Sequence, residues 1–337
     1  MTQNVSEVSV RRRAAFVSIG VGISLLVVKF AAYALTGSAA VLSDALESVI
    51  NVVASFSALF AILQSARPAD ESHPYGHGKV EFFSAGFEGA LIIVAAFAIF
   101  WTAIPRFFTP TPLTRLDLGL LLLVVGGIVN YLLGVFLIRT GRKTHSDALT
   151  ADGHHVHTDA YTSAGVIVGL LLVRFTGLYW IDPLVACLMG VNILFMGYRL
   201  LRSASAGLMD ESDHPYLEVL TQALNQARVP EWIAPHHLRS WRGGAVRFVD
   251  FHLDLPRYWN LDQSHQVQKR LEEVVTTASG QDCQVLIHFD PCVPDYCHLC
   301  AVDACPVRST PLRQQVSWTT ELLMAGPPRR PAADLSH

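Results

Sequence analysis

Apolar residues run continuously through the first two thirds of this chain and alternate with polar ones in the last third. Six stretches, at roughly 14–35, 39–64, 82–107, 116–138, 154–175 and 179–201, are each long and apolar enough to cross a hydrocarbon core about 30 Å thick. Beyond about residue 205 the period changes. A helix over 215–227, strands over 237–242 and 246–254, a helix over 261–278 and a strand over 283–289 follow from the spacing, with Arg242-Gly243-Gly244 turning the first two strands into a hairpin. The expected fold is an all-α membrane domain of six helices followed by a cytoplasmic α+β domain of order αββαβ. Expected boundaries are a cytoplasmic N-terminal tail at 1–13, the membrane domain at 14–205, a cytoplasmic domain at 206–290, a Cys-rich segment at 291–310 and a disordered tail at 311–337.

Composition agrees with a membrane protein. Of 337 residues, 51% are hydrophobic and 16% charged, against about a quarter charged in a typical soluble domain. A net charge of −3 gives no reason to expect a nucleic-acid partner. The first apolar stretch is too long for a signal-peptide core, so no cleaved leader is expected. Lys and Arg concentrate at Arg11–Arg13, in the second and fourth loops and after the sixth span. That bias and the even span count place both termini in the cytoplasm, with Arg106 and Arg115 as exceptions.

Charge inside the spans changes the picture from membrane protein to transporter. Ionisable groups at membrane depth are costly and mark ion pathways by default. His155 and Asp159, in ADGHHVHTD, are one helical turn apart on one face, and Asp44, Glu47, Ser48 and Asn51 share a face of the second span. Facing each other, Glu47, Asn51, His155 and Asp159 form a cage of three oxygen donors and one nitrogen, suited to Zn²⁺, Fe²⁺, Co²⁺ or Mn²⁺, with Asp44 as an additional candidate. The competing reading is a polar helix–helix seam.

Three further groups of metal-binding side chains lie outside the spans. The second loop brings Asp70, His73 and His77 together in PADESHPYGHGK, where Pro74, Gly76 and Gly78 oppose a helix, so the alternatives are a loop metal site or a solvated loop. His237, His252, His265, His288 and Asp290 recur through the last domain as a second metal centre or as surface histidines. Cys292, Cys297, Cys300 and Cys305 follow, spaced x4, x2, x4 and closed by Pro306. Zinc, an iron–sulfur cluster and free thiols all remain open for them.

Together TGSAAVLSDALES, HPYGHGKVE, ADGHHVHTD, Asp182-Pro183 and the closing HFDPC resemble the cation diffusion facilitators, over about residues 13–290. The resemblance implies a homodimer in a bacterial inner membrane that exports a divalent metal in exchange for protons, with a metallochaperone-like cytoplasmic domain that dimerises when metal binds. It assigns Glu47, Asn51, His155 and Asp159 to transport, Asp70, His73 and His77 to a loop site, and His237, His252, His265, His288 and Asp290 to a cytoplasmic site. Lys79 and Asp210 match a charged pair joining the two domains. Asn51 departs from the family's usual aspartate, which leaves iron, manganese and cobalt beside zinc as cargo. The expected activity is transport, not enzymatic turnover. The alternatives are a non-transporting metal sensor or scaffold, or a membrane-anchored iron–sulfur protein.

Overall fold

The computed structural model describes residues 5–326 except 66, 110–112, 144–146, 245, 281–282 and 314–315. Its contacts divide it into two compact units, one comprising residues 1–61 and 84–204, the other 62–83 and 205–337.

The first unit holds the long helices: α1 (Val5–Thr36), α2 (Ala39–Ser65), α3 (Val80–Ala103), a short α4 (Pro105–Phe108), α5 (Leu116–Lys143), α6 (Asp147–Thr176) and α7 (Ile181–Leu208), with one end each of α2, α3 and α7 falling in the second unit. Among the described residues, segments of α1, α5, α6 and α7 and the run Val80–Phe108 are long and apolar enough to cross a membrane. The remaining long helix, α2, has 27 residues, or about 40 Å at 1.5 Å each. Phe97, Trp101, Leu132, Phe175 and Phe195 stand exposed on the outside of these helices, as lipid-facing residues must. The interior is lined by small side chains. One apolar cluster draws Ala32, Ala39, Ala96, Leu123, Val166 and Ala186 from six different helices. A Cβ on Gly134 would come within 2.3 Å of the His157 ring, and one on Gly153 within 2.8 Å of the Ile138 amide nitrogen, so α5 and α6 touch nearly backbone to backbone.

The start of α2 is fixed by charge. Gly37 takes φ +66, which turns the chain between α1 and α2. The buried Asp182 carboxylate then accepts from the Ala39 amide at 2.8 Å and the Ala40 amide at 3.2 Å, and also from the Ser38 hydroxyl. A negative group at a helix N-terminus satisfies otherwise orphaned N–H groups and the positive end of the dipole.

The second unit contains α8 (His214–Ala227), β1 (Ala234–Gly243), β2 (Val246–Leu255), α9 (Leu261–Ser279), β3 (Cys283–Pro291), a 3₁₀ turn at Pro294–Tyr296 and α10 (Thr320–Met324). β1 pairs antiparallel with β2, and β2 parallel with β3 through the α9 crossover. Leu217, Leu220 and Leu224 of α8 and Leu271 and Val275 of α9 pack on Val249, Phe251 and Leu253 of β2. Period-two alternation leaves Asp250, His252 and Asp254 on the opposite face.

Residues 5–13 continue α1 ahead of the apolar span that starts at Phe16, since no Pro or Gly precedes Gly20 to stop the helix; residues 1–4 lie outside the described part. One tail expectation needs correction. The expected disorder at 311–337 does not hold for 316–326. Trp318 and Leu323 are buried in the core of this unit, the Trp318 carbonyl accepts from Asn225 at 2.8 Å, and the Arg228 guanidinium lies 4.1 Å over the Trp318 ring. Residues 314–315 and 327–337 lie outside the described part.

Asp213 caps α8 by accepting from the Tyr216 amide, and its other oxygen is 3.1 Å from Arg247 and 3.3 Å from Arg242. Burial alone would raise its pKa, but the Tyr216 amide and Arg247 outweigh it and hold the carboxyl below its ordinary value. A depressed carboxylate stabilises the fold above its unfolded pKa, and that contribution is lost as pH falls through the folded value. Asp213→Ala is therefore expected to cost about 1 to 2 kcal/mol at neutral pH. In thermal unfolding followed by tryptophan fluorescence, the gap from wild type should hold at neutral pH and narrow below about pH 4 as Asp213 takes up its proton; a constant gap would remove the charge from the explanation.

Candidate metal centres

In the helical unit the two predicted polar faces meet. The Asn51 amide of α2 donates to Asp159 Oδ2 of α6 at 2.7 Å, and His155 Nε2 lies 4.0 Å from the same oxygen. The Thr162 hydroxyl is 3.4 Å from Glu47 Oε2 and 2.9 Å from the Asp159 backbone carbonyl, tying the second carboxylate to the same turn of α6. Glu47 and Asp159 are buried and His155 is exposed. Two carboxylates, an amide and an imidazole can clasp a divalent cation once the imidazole is neutral. Asp44, the additional candidate, is engaged otherwise. Its Oδ1 is 3.0 Å from Lys29 Nζ and accepts from Ser163 at 2.7 Å, a buried ion pair one turn from Glu47. His157 packs against the ring of Tyr131 at 4.8 Å.

The loop before α3 gathers its three predicted residues. His73 Nδ1 and His77 Nε2 each lie 3.3 Å from an oxygen of Asp70, and one ligating atom from each of the three falls within 4.8 Å of the others. The Asp70 carboxylate also accepts from the amides of Ser72 and His73, and the His73 bond leads in holding its pKa below the ordinary value. An ionised Asp70 beside two imidazoles is a competent donor set. In the same unit Lys79 Nζ meets Asp210 at 2.8 Å.

A row of histidines crosses the sheet of the second unit. His236 of β1 pairs with His252 of β2, which pairs with His288 of β3; Asp254 and Asp290 are partners two residues along. His252 Nδ1 is 2.9 Å from Asp290 Oδ2, His236 Nε2 is 3.7 Å from that oxygen, and His288 Nε2 is 3.3 Å from the other. His236, His252 and Asp290 bring ligating atoms within 4.8 Å of one another. His236 Nδ1 lies 3.0 Å from the Ala234 carbonyl, so its N–H points there and the lone pair on Nε2 faces the cluster. Burial pushes the His236 pKa down, favouring the neutral form that binds metal. Asp254 is pushed up to about 7 by burial and then by the charge of Asp290.

Of the expected set, His252, His288 and Asp290 stand in this row, and His236, outside that set, joins them. The exposed ring of His237 lies 5.2 Å from that of His236 and 5.3 Å from that of His252. His265 stands exposed on α9 and is not one of the three residues whose ligating atoms close to within 4.8 Å. β1 bulges after His236, three residues there spanning two on β2, with His237 at φ +53. Adjacent histidines at a strand start were the available signal; which one faces the cluster is set by the bulge.

Cys292, Cys297, Cys300 and Cys305 all line one pocket beside β1. They are not among the groups whose ligating atoms close to within 4.8 Å, which among the described residues are the loop triad and the His236 set.

Comparison with known proteins accounts for most of the chain. Residues 15–209 match the family described as the cation efflux transmembrane domain, and residues 217–292 the cation efflux protein cytoplasmic domain. An uncharacterized transporter, sll1263, from Synechocystis is 37% identical over 280 residues, covering 82% of this chain and 89% of that protein. The cation-efflux pump FieF of Cronobacter sakazakii is 31% identical over 286 residues, covering 83% of this chain and 92% of its own. The Escherichia coli protein of the same name is 30% identical over the same length.

If the bulge decides which histidine binds, His236→Ala should weaken metal binding by more than about tenfold, a loss on the scale of an altered coordination shell. His237→Ala should leave the affinity close to wild type. Competition titration of the full chain against a chromophoric chelator reads both, and equal losses would show that the two imidazoles share the ion.

Proposed function

The chain belongs to the cation efflux family, the cation diffusion facilitators, and from that premise we propose that it exports Zn²⁺, Fe²⁺, Mn²⁺ or Co²⁺ from the cytoplasm in exchange for protons. It works as a homodimer in a bacterial cytoplasmic membrane, with both termini inside. One observation carries this reading: Asn51 and Asp159, on different helices, meet at 2.7 Å, with His155 and the buried Glu47 close by on the same two faces. A membrane sensor or scaffold has no need of such groups at that depth.

Metal entering from the cytoplasm exchanges water for Glu47, Asn51, His155 and Asp159. Two carboxylates balance the charge of a divalent ion and lower the cost of carrying it through a low-dielectric bundle. The amide of Asn51 neither adds charge nor takes a proton, so exchange falls to His155 and the two carboxylates. Protons arriving from the far side compete for those donors and release the ion.

Three resident sites accompany the transport site. His236, His252 and Asp290 hold an ion that cross-links all three strands, with His288 beside it, and metal there favours the dimer. Asp70, His73 and His77 form the loop site. Cys292, Cys297, Cys300 and Cys305 are a thiolate metal centre that starts at the last residue, 292, of the matched cytoplasmic domain.

His155→Ala and Asp159→Ala should each reduce proton-driven metal uptake into proteoliposomes to background while leaving the oligomeric state unchanged. Wild-type uptake in either variant would sink the assignment. Asn51→Asp adds a charge and a titratable group, and should change the ratio of zinc to manganese transport by at least about tenfold, as altered coordination shells do.

A further inference from the structure

We propose that the four cysteines after β3 bind an iron–sulfur cluster rather than a single zinc ion. The proposal goes further than the thiolate centre above and rests on it.

The segment is built to present sulfur. The Cys292 amide bonds to the Leu255 carbonyl at 2.9 Å, anchoring the first thiol to the end of β2. The Arg308 guanidinium then gathers the carbonyls of Cys297 and Cys300, each at 3.2 Å, together with those of Val302 and Thr310. The Ser309 amide points at Cys297 Sγ from 3.4 Å, the kind of N–H···S bond that tunes a metal-bound sulfur. Ile233, Ala234, Tyr296 and Cys300 form the small apolar cluster that seats the segment. Apart from the 3₁₀ turn at Pro294–Tyr296, residues 292–310 have no regular structure, so a cluster this small gains from a central cross-link.

Sulfur spacing separates the two metal classes. A tetrahedral zinc with Zn–S near 2.3 Å holds every pair of its sulfurs about 3.8 Å apart. The four thiols line one pocket, yet no three of their sulfurs fall within 4.8 Å of one another. A cluster spreads its thiolates, because they ligate different irons across the sulfide core. The sequence points the same way. Cys292-x4-Cys297-x2-Cys300 has the spacing of plant-type ligation, and Cys305-Pro306 ends the run as bacterial cluster motifs end. Each thiol gives up its proton on ligation, and Arg308, lining the same pocket, offsets part of the negative charge.

The full chain, purified in detergent without oxygen from iron-replete cells, should be coloured and carry about two to four irons with as many acid-labile sulfides per chain, depending on cluster type. Cys300→Ser should lose both, while Cys187→Ser, on α7 outside the segment, should keep both. A colourless wild type with one zinc per chain that Cys300→Ser releases would overturn the cluster and leave the thiolate centre standing. Wild type with neither metal, and with all four thiols open to alkylation, would overturn both. The wild-type metal and sulfide content decides the matter even if Cys300→Ser fails to fold.

Discussion

A carboxylate inside a membrane-spanning bundle has to be answered by a partner, and the helical unit is arranged around four of them: Asp44, Glu47, Asp159 and Asp182, all buried. Asp182 is answered by the first amides of α2 and, at 3.6 Å, by Arg106; Asp44 is answered by Lys29. These partners carry full or partial positive charge and offer no lone pair, so they hold their carboxylates as fixtures of the fold. Asp159 meets an amide and an imidazole, groups that can also act as ligands. The same physical demand thus separates carboxylates that hold helices from those able to hold an ion.

Much of the helical unit is legible because lipid imposes a simple rule: apolar outside for about twenty residues at a time. The polar faces are legible for the same reason, since Glu47 and Asn51, or His155 and Asp159, can only be neighbours at a spacing of four. Periodicity says nothing about which face meets which. That depends on the close approach at Gly134 and Gly153 and on Asp182 reaching the start of α2, both of which join residues far apart in sequence. Asp44 illustrates the limit, for its place on the ligand face is evident from spacing, whereas its capture by Lys29 requires α1 to be in position.

In the second unit the order of elements was readable, and so was the polar face of β2, because Asp250, His252 and Asp254 alternate cleanly with Val249, Phe251 and Leu253. β1 was not, since a bulge reverses the alternation where two histidines adjoin. The stretch at 316–326 misled for another reason: its composition offers no periodicity, and its order comes from single large contacts, Trp318 under Arg228 and Leu323 in the core. Ala234 shows how such tertiary contacts join sites that look separate in sequence. Its carbonyl orients His236, while its side chain packs with Tyr296 and Cys300 of the cysteine segment.

Asn51 carries the argument about coupling furthest. With Asp159 ionised, the amide donates its N–H, as found here at 2.7 Å. With Asp159 protonated, the same amide can turn and accept through its oxygen, and with a metal bound that oxygen becomes a ligand. An aspartate at this position would repel an ionised Asp159 whenever the site held neither metal nor proton. An amide is compatible with all three states, so the empty carrier can return without stabilising an extra buried charge. The cost is one less negative donor for the ion, which weakens the grip on any divalent metal and leaves selection to ligand type and geometry.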